Sequence, residues 1–139
     1  LKKIASFPFK LAVSKKHPLS KESHVHLSQV ENEKFILFNE HFIHHEVFWK
    51  FMNSYRIIPN ILAEVSDLQG FENFIQQKNT IGILVDFLKL EDIHLIELDE
   101  PEPVQFYLYL AKQKDGKITD EAFNEMELYI RNQIYALKN

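Results

Sequence analysis

The chain has 139 residues, no cysteine, a formal net charge of −4 and a pI near 6.0. That length suffices for one domain with a real core. The acidic balance argues against a surface that grips nucleic-acid phosphates, and the missing thiols leave no disulfide framework and no cysteine chemistry.

In chain order, Leu1 to Ala5 alternates only weakly. Phe7 to Val13 (FPFKLAV) reads as a strand, with Pro8 near its start, where a missing N–H costs least. Ser14 to Ser20 is a turn in which Pro18 holds His17 extended. His24 to Leu27 leads into the polar stretch Ser28 to Glu33. Phe35 to Phe38 then forms a buried strand, followed by the polar loop Asn39, Glu40, His41. The next helix carries Val47, Phe48, Phe51, Met52 and Tyr55 on one face and stops at Pro59.

Ile61 to Val65 is the following strand. Ser66 to Gln69 has the form of a capping box, S-x-x-Q, and the helix it opens carries Leu68, Phe71, Phe74 and Ile75. Thr80 to Val85 (TIGILV) is a continuous apolar strand of the kind buried on both faces of a parallel sheet. Ile93 to Leu98 and Phe106 to Ala111 are further strands, separated by the acidic linker Asp99 to Pro103. Asp115-Gly116 is a turn, and Thr119 caps a last helix with Asp120 and Glu121 in its first turn. Its apolar residues are Phe123, Met126, Ile130, Ile134 and Leu137. The order β, β, α, β, α, β, β, β, α predicts an α/β fold whose mostly parallel sheet is flanked by helices.

No apolar run approaches a membrane span, and Leu1, Lys2 and Lys3 are not followed by a signal-peptide core. The first residue is Leu, so the chain reads as a piece of a longer protein. No P-loop, dinucleotide fingerprint or nucleophile elbow is present, and Ser14, Ser20 and Ser66 show no base-and-orienter pattern, which argues against an enzyme.

Four segments together resemble the regulatory region of LysR-type transcriptional regulators. Leu11 to Ser20 (LAVSKKHPLS) looks like that family's strand ending in a His-Pro-Leu turn. Leu27 to Leu37 (LSQVENEKFIL) looks like its approach to the next strand, with Lys34 where a proline is usual. Pro59 to Val65 (PNILAEV) looks like its strand entered through a proline, and Gln77 to Val85 (QKNTIGILV) like its Gly-Ile segment. Phe106 to Lys114 and the last helix complete the likeness.

The resemblance implies a periplasmic-binding-protein-like fold of two subdomains with a ligand cleft between them. Residues 12–100 correspond to the second subdomain, and residues 101–139 to the return strand and C-terminal helix of the first. The first subdomain's opening strands, and with them part of the cleft, would precede Leu1. It further implies a cytoplasmic, non-catalytic module that senses a small-molecule effector and forms a dimer or tetramer in the parent. DNA would be met only through a helix-turn-helix that this chain lacks. The alternative is a free-standing solute- or metal-binding module of periplasmic-binding-protein type; a small hydrolase is a third reading.

Ligands of open α/β sheets bind outside the carboxyl ends of strands, and helix N-termini there favour anions. This singles out Asn39, Glu40, His41 and Phe42, although Glu40 opposes a carboxylate ligand; a plain helix cap by Asn39 is the competing reading. Ser66 and Asp67 stand at the next strand-to-helix junction, where capping alone would explain both. Thr80, Ile81 and Gly82 are the third candidate; Gly82 allows close approach of a ligand or, equally, of a helix. His41 and His45 have an i, i+4 spacing that zinc ligands can use, with His44, Glu40 and Glu46 nearby. The first turn of a solvated helix explains them as well, so no metal and no cofactor is expected.

Overall fold

A computed structural model of the chain describes residues 1–99, 104–112 and 117–138. Its strands are β1 (Lys2–Ser14), β2 (His24–Val25), β3 (Lys34–Phe38), β4 (Asn60–Val65), β5 (Gly82–Val85), β6 (Ile93–Leu98) and β7 (Gln105–Leu110). Its helices are α1 (Ile43–Ser54), α2 (Leu68–Lys78) and α3 (Asp120–Lys138). Short 3-10 turns occupy Pro18–Lys21 and Leu27–Val30. The Asp115-Gly116 turn and most of the Asp99 to Pro103 linker lie outside the described residues.

Two compact units divide the chain: Phe9–Val104, and Leu1–Pro8 together with the residues from Gln105 onward. In the larger unit β3 and β4 pair in parallel, from Lys34↔Asn60 to Phe38↔Val65. A parallel bridge, Phe35↔Ile81, joins β3 to the segment that enters β5. The Ile36 amide donates to the Ile81 carbonyl at 2.8 Å, and the Ile81 amide to the Lys34 carbonyl at 2.9 Å. β1 then runs antiparallel to β5 on one side (Phe9↔Val85) and to β6 on the other (Leu11↔Ile96), and β6 pairs in parallel with β2. The α/β class and the parallel β3, β4, β5 group follow the sequence reading. The sheet as a whole is mixed, because β1 is antiparallel to every strand it touches.

Successive strand residues point to opposite faces, and this divides the core. Phe35 meets Phe48 of α1, with ring centroids 5.5 Å apart. Ile36 and Phe38 instead join Phe71 and Ile75 of α2, with Ala12, Val65, Leu84 and Ile93. The expected apolar faces of both helices are the buried ones: Val47, Phe48, Phe51 and Met52 on α1, and Phe71 and Ile75 on α2. Burial of each such side chain contributes roughly 1.5–3 kcal/mol, before conformational entropy is subtracted.

In the smaller unit β1 reaches back to Lys2, so Leu1 to Ala5 belongs largely to a strand. Its partner is β7, from Lys2↔Leu110 to Pro8↔Gln105, with a bulge between Lys3 and Ala5. Pro8 is mid-strand rather than near the start. It sits where the β7 register ends and the β5 register begins, a point at which a missing donor is tolerated. α3 is tied to this ribbon by Arg131, whose guanidinium donates to the Lys3 and Ile4 carbonyls at 3.0 and 3.2 Å. Thr119 caps α3 as expected, its hydroxyl accepting from the Ala122 amide at 3.1 Å. No described helix is long and apolar enough to cross a membrane.

Candidate functional site

The order β4-β3-β5 makes the carboxyl ends of β3 and β5 a topological switch point. From β3 the chain leaves through α1 to β4 on one side, then returns through α2 to β5 on the other. Crossovers that depart in opposite directions separate their loops at the carboxyl ends of the two inner strands, here β3 and β5, and ligands bind at such points.

His44, in the first turn of α1, spans those two strand ends. Its Nε2 accepts a hydrogen bond from the Val85 amide at 3.2 Å. Its ring stands edge-on to Phe9 at 5.3 Å and tilted against Phe38 at 4.8 Å. Because Nε2 accepts, the ring proton belongs on Nδ1, which is buried and has no hydrogen-bond partner. Burial pushes the imidazole pKa down to about 4, so the ring is neutral near pH 7. His45 locks the other side of the same turn: its Nδ1 is 2.8 Å from the Phe38 carbonyl and donates to it.

The loop that leads into α1 is built differently from expectation. The Asn39 side chain accepts from the His41 amide at 3.0 Å, an Asx turn, and the Asn39 amide donates to the Val65 carbonyl at 2.9 Å. Asn39 therefore does not cap α1. The cap position is Phe42, which provides no side-chain bond, so the first amides of α1 lack a side-chain acceptor. Glu40 and His41 are exposed, and Phe42 is half-buried against Phe38, centroids 4.9 Å apart. His41 precedes the helix, so it does not share a helix face with His45. Among the described residues no group of three or more metal-ligating side chains is placed to hold an ion.

Ser66 and Asp67 lie beside Asn39 at the carboxyl end of β4, both exposed. Asp67 alone is the cap of α2: its carboxylate accepts from the Gly70 amide at 2.6 Å, and the S-x-x-Q box centred on Ser66 is not what closes the helix. A Cβ on Gly70 would stand 3.0 Å from that carboxylate oxygen, so the glycine leaves the cap room.

Thr80, Ile81 and Gly82 are at the other end of the sheet. Ile81 is level with Phe35 near the start of β3, about three residues, or roughly 10 Å, from the carboxyl rim. Thr80 and Ile81 are both 0 % exposed. A Cβ on Gly82 would come within 2.6 Å of Phe71 Cε2 and 3.1 Å of the Ile36 carbonyl, so the space this glycine frees is filled by α2. The carboxyl end of β5 is Val85, followed by Asp86 and Phe87, which sequence reasoning passed over; it placed His44 only within a solvated histidine group. Reading the TIGILV strand for its exit as well as its entry would have found the two that follow it. Asp86 there accepts from Lys10 at 3.1 Å and Lys89 at 3.2 Å.

Residues 1–125 match the LysR substrate binding domain. The malolactic fermentation system transcriptional activator of Lactococcus lactis subsp. lactis (strain IL1403) is 25% identical over 123 residues, covering 86% of this chain and 42% of that protein. The effector binding domain of QuiR in complex with shikimate superposes with a TM-score of 0.71 at 18% identity, covering 95% of this chain and 65% of that one. The Synechocystis PCC6803 CcmR regulatory domain in complex with 2-PG gives a TM-score of 0.76 at 13% identity, covering 94% and 65%. At these identities the two structures show a common fold. The chain spans less than half the length of the curated relative it matches.

Proposed function

The chain belongs to the LysR substrate-binding domain family, and from that premise we propose that it is the effector-sensing module of a transcriptional regulator. The observation that carries this reading is the switch point at the carboxyl ends of β3 and β5, with His44 clipped across the two strand ends. Asn39, Glu40, His41 and Phe42 form one wall, and Asp86 and Phe87 the other. Ser66 and Asp67 stand at its margin. Thr80, Ile81 and Gly82 act on it only through the packing that sets β5 against β3.

The ligand is a small molecule that binds without being transformed, as in a sensing module; among the described residues no nucleophile–base–orienter set is assigned. Binding biases the populations of subunit arrangements in a dimer or tetramer. The response reaches DNA through a helix-turn-helix elsewhere in the parent protein, in the cytoplasm. A chain of residues 12–100 as second subdomain, with the return strand and last helix of the first, fits this role. The family match favours it over a free-standing solute-binding protein.

Thermal unfolding of the 139-residue chain against organic acids, amino acids, sugar phosphates and divalent ions tests the proposal. A ligand at a hundredfold excess over Kd adds about 2.7 kcal/mol to the folded state. Phe42→Ala and Phe87→Ala should each reduce that gain. If every stabilising ligand keeps its full gain in both variants, or no ligand of any class stabilises, the reading is overturned.

A further inference from the structure

A cleft of about 320 Å³ lies beneath the connection from β5 to β6. Topology creates it. β5 and β6 flank β1 and both run antiparallel to it, so Asp86–Asp92 must run back along β1 to begin β6. This segment forms no helix or strand, and Leu88 and Leu90 are only partly buried where they meet the core. The floor is the face of β1 that carries Lys10, and Leu95 of β6 closes one side.

Charge in the cleft is unbalanced. Lys10 Nζ is 3.1 Å from one Asp86 oxygen, and Lys89 Nζ is 3.2 Å from the other. Two ammonium groups thus share one carboxylate. Among the described residues neither lysine forms an ion pair with any other acid. The Lys10 side chain is only 23% exposed, so its charge is less screened than that of a free surface lysine. One additional negative charge would balance the set, and each ammonium has donors to spare.

We propose that this cleft binds a small monocarboxylic acid with an apolar body. The carboxylate takes the spare donors of Lys10 and Lys89, and the hydrocarbon covers Leu88, Leu90 and Leu95. A dianion would exceed the available positive charge and face Asp86. The volume suits a molecule at the small end of the ligand range. The site lies on the α2 face of the sheet, apart from Asn39–Phe42; it borders the proposed crevice at Asp86 but is argued from its own charges and lining.

The test is a ¹H–¹⁵N NMR titration of the chain with hexanoate, with hexan-1-ol (tail without charge) and with inorganic phosphate (charge without tail). Hexanoate should shift the amides of residues 86–95 saturably, and the two controls should bind at least about tenfold more weakly. Lys10→Met should weaken hexanoate about tenfold, as expected for loss of a charge-assisted contact, while Lys10→Arg retains the affinity. That pair separates lost charge from a disturbed fold. Lys89→Met, at a more exposed position, should have a smaller effect, and Lys50→Met, exposed on α1, none. Equal binding of hexan-1-ol or phosphate, no loss in Lys10→Met, or shifts confined to residues 39–44 would overturn the proposal.

Discussion

The two units bury their side chains to very different degrees. In Phe9–Val104, both sheet faces are covered by helices, and Phe35, Phe38, Phe48 and Phe71 are among the largest fully buried side chains. In the unit formed by Leu1–Pro8 and the residues from Gln105 onward, the buried apolar residues among those described are Ile4, Phe7 and Phe123. α3 leaves Leu128, Tyr129 and Tyr135 more than 60% exposed, at 62%, 66% and 71%. The larger unit should hold most of the stability, and it also contains the proposed effector site and the cleft.

Matched truncations test this division most strongly. Phe71→Ala should cost about 3–5 kcal/mol, since its ring stacks on Phe38 at 4.6 Å and fills the space over Gly82. Phe123→Ala should cost only about 1–2 kcal/mol, because its half-exposed surroundings can collapse around the gap. Chemical denaturation measures both. Equal losses would remove the distinction between the units. Gly82→Ala should cost roughly 1–3 kcal/mol by overpacking against Phe71 and the Ile36 carbonyl.

Acid should act on the units in different windows. The folded His44 titrates near 4, below its ordinary 6.5. Between those values the unfolded chain binds a proton that the folded chain refuses, so stability falls as pH drops from about 6.5 to 4, by up to about 3 kcal/mol. His44→Gln, which retains an acceptor for the Val85 amide, should flatten that slope. In the smaller unit, hydrogen bonds from Lys112 hold Asp120 below its ordinary 3.8, and hydrogen bonds from Lys2 and Arg131 hold Glu127 below 4.5. Their contribution is present above those values and is lost as pH falls below them. Urea unfolding as a function of pH separates the two windows.

Most of the architecture was legible because it is local. Helical spacing identified the buried faces of α1 and α2, and the Thr119 cap was visible as a residue type at a position. What was hidden depended on distant partners. The Leu1 to Ala5 strand shows itself only once β7 is beside it. Asn39 had the chemistry of a cap, yet it closes an Asx turn because Phe42 is where the helix begins. Gly82 allowed two readings, and only the position of Phe71 chooses between them. His44 looked like one member of a solvated histidine group. Its burial follows from Phe9, Phe38 and Val85, which converge from three separate strands.

Smaller effects belong to the caps. Asp67→Ala should cost about 1 kcal/mol and Thr119→Ala about 0.5–1 kcal/mol. Hydrogen exchange would then quicken across α2 in the first case and across α3 in the second. The α3 amides should exchange faster than those of α2 even before mutation.

The location of the proposed effector crevice is tested most directly by amide hydrogen exchange with a ligand from the thermal screen whose stabilisation Phe42→Ala reduces. Added protection is expected at Asn39–His45 and Val85–Phe87, with Thr80–Gly82 unchanged beyond the global gain in stability. Protection centred on Thr80–Gly82, with the carboxyl ends of β3 and β5 unaffected, would contradict it.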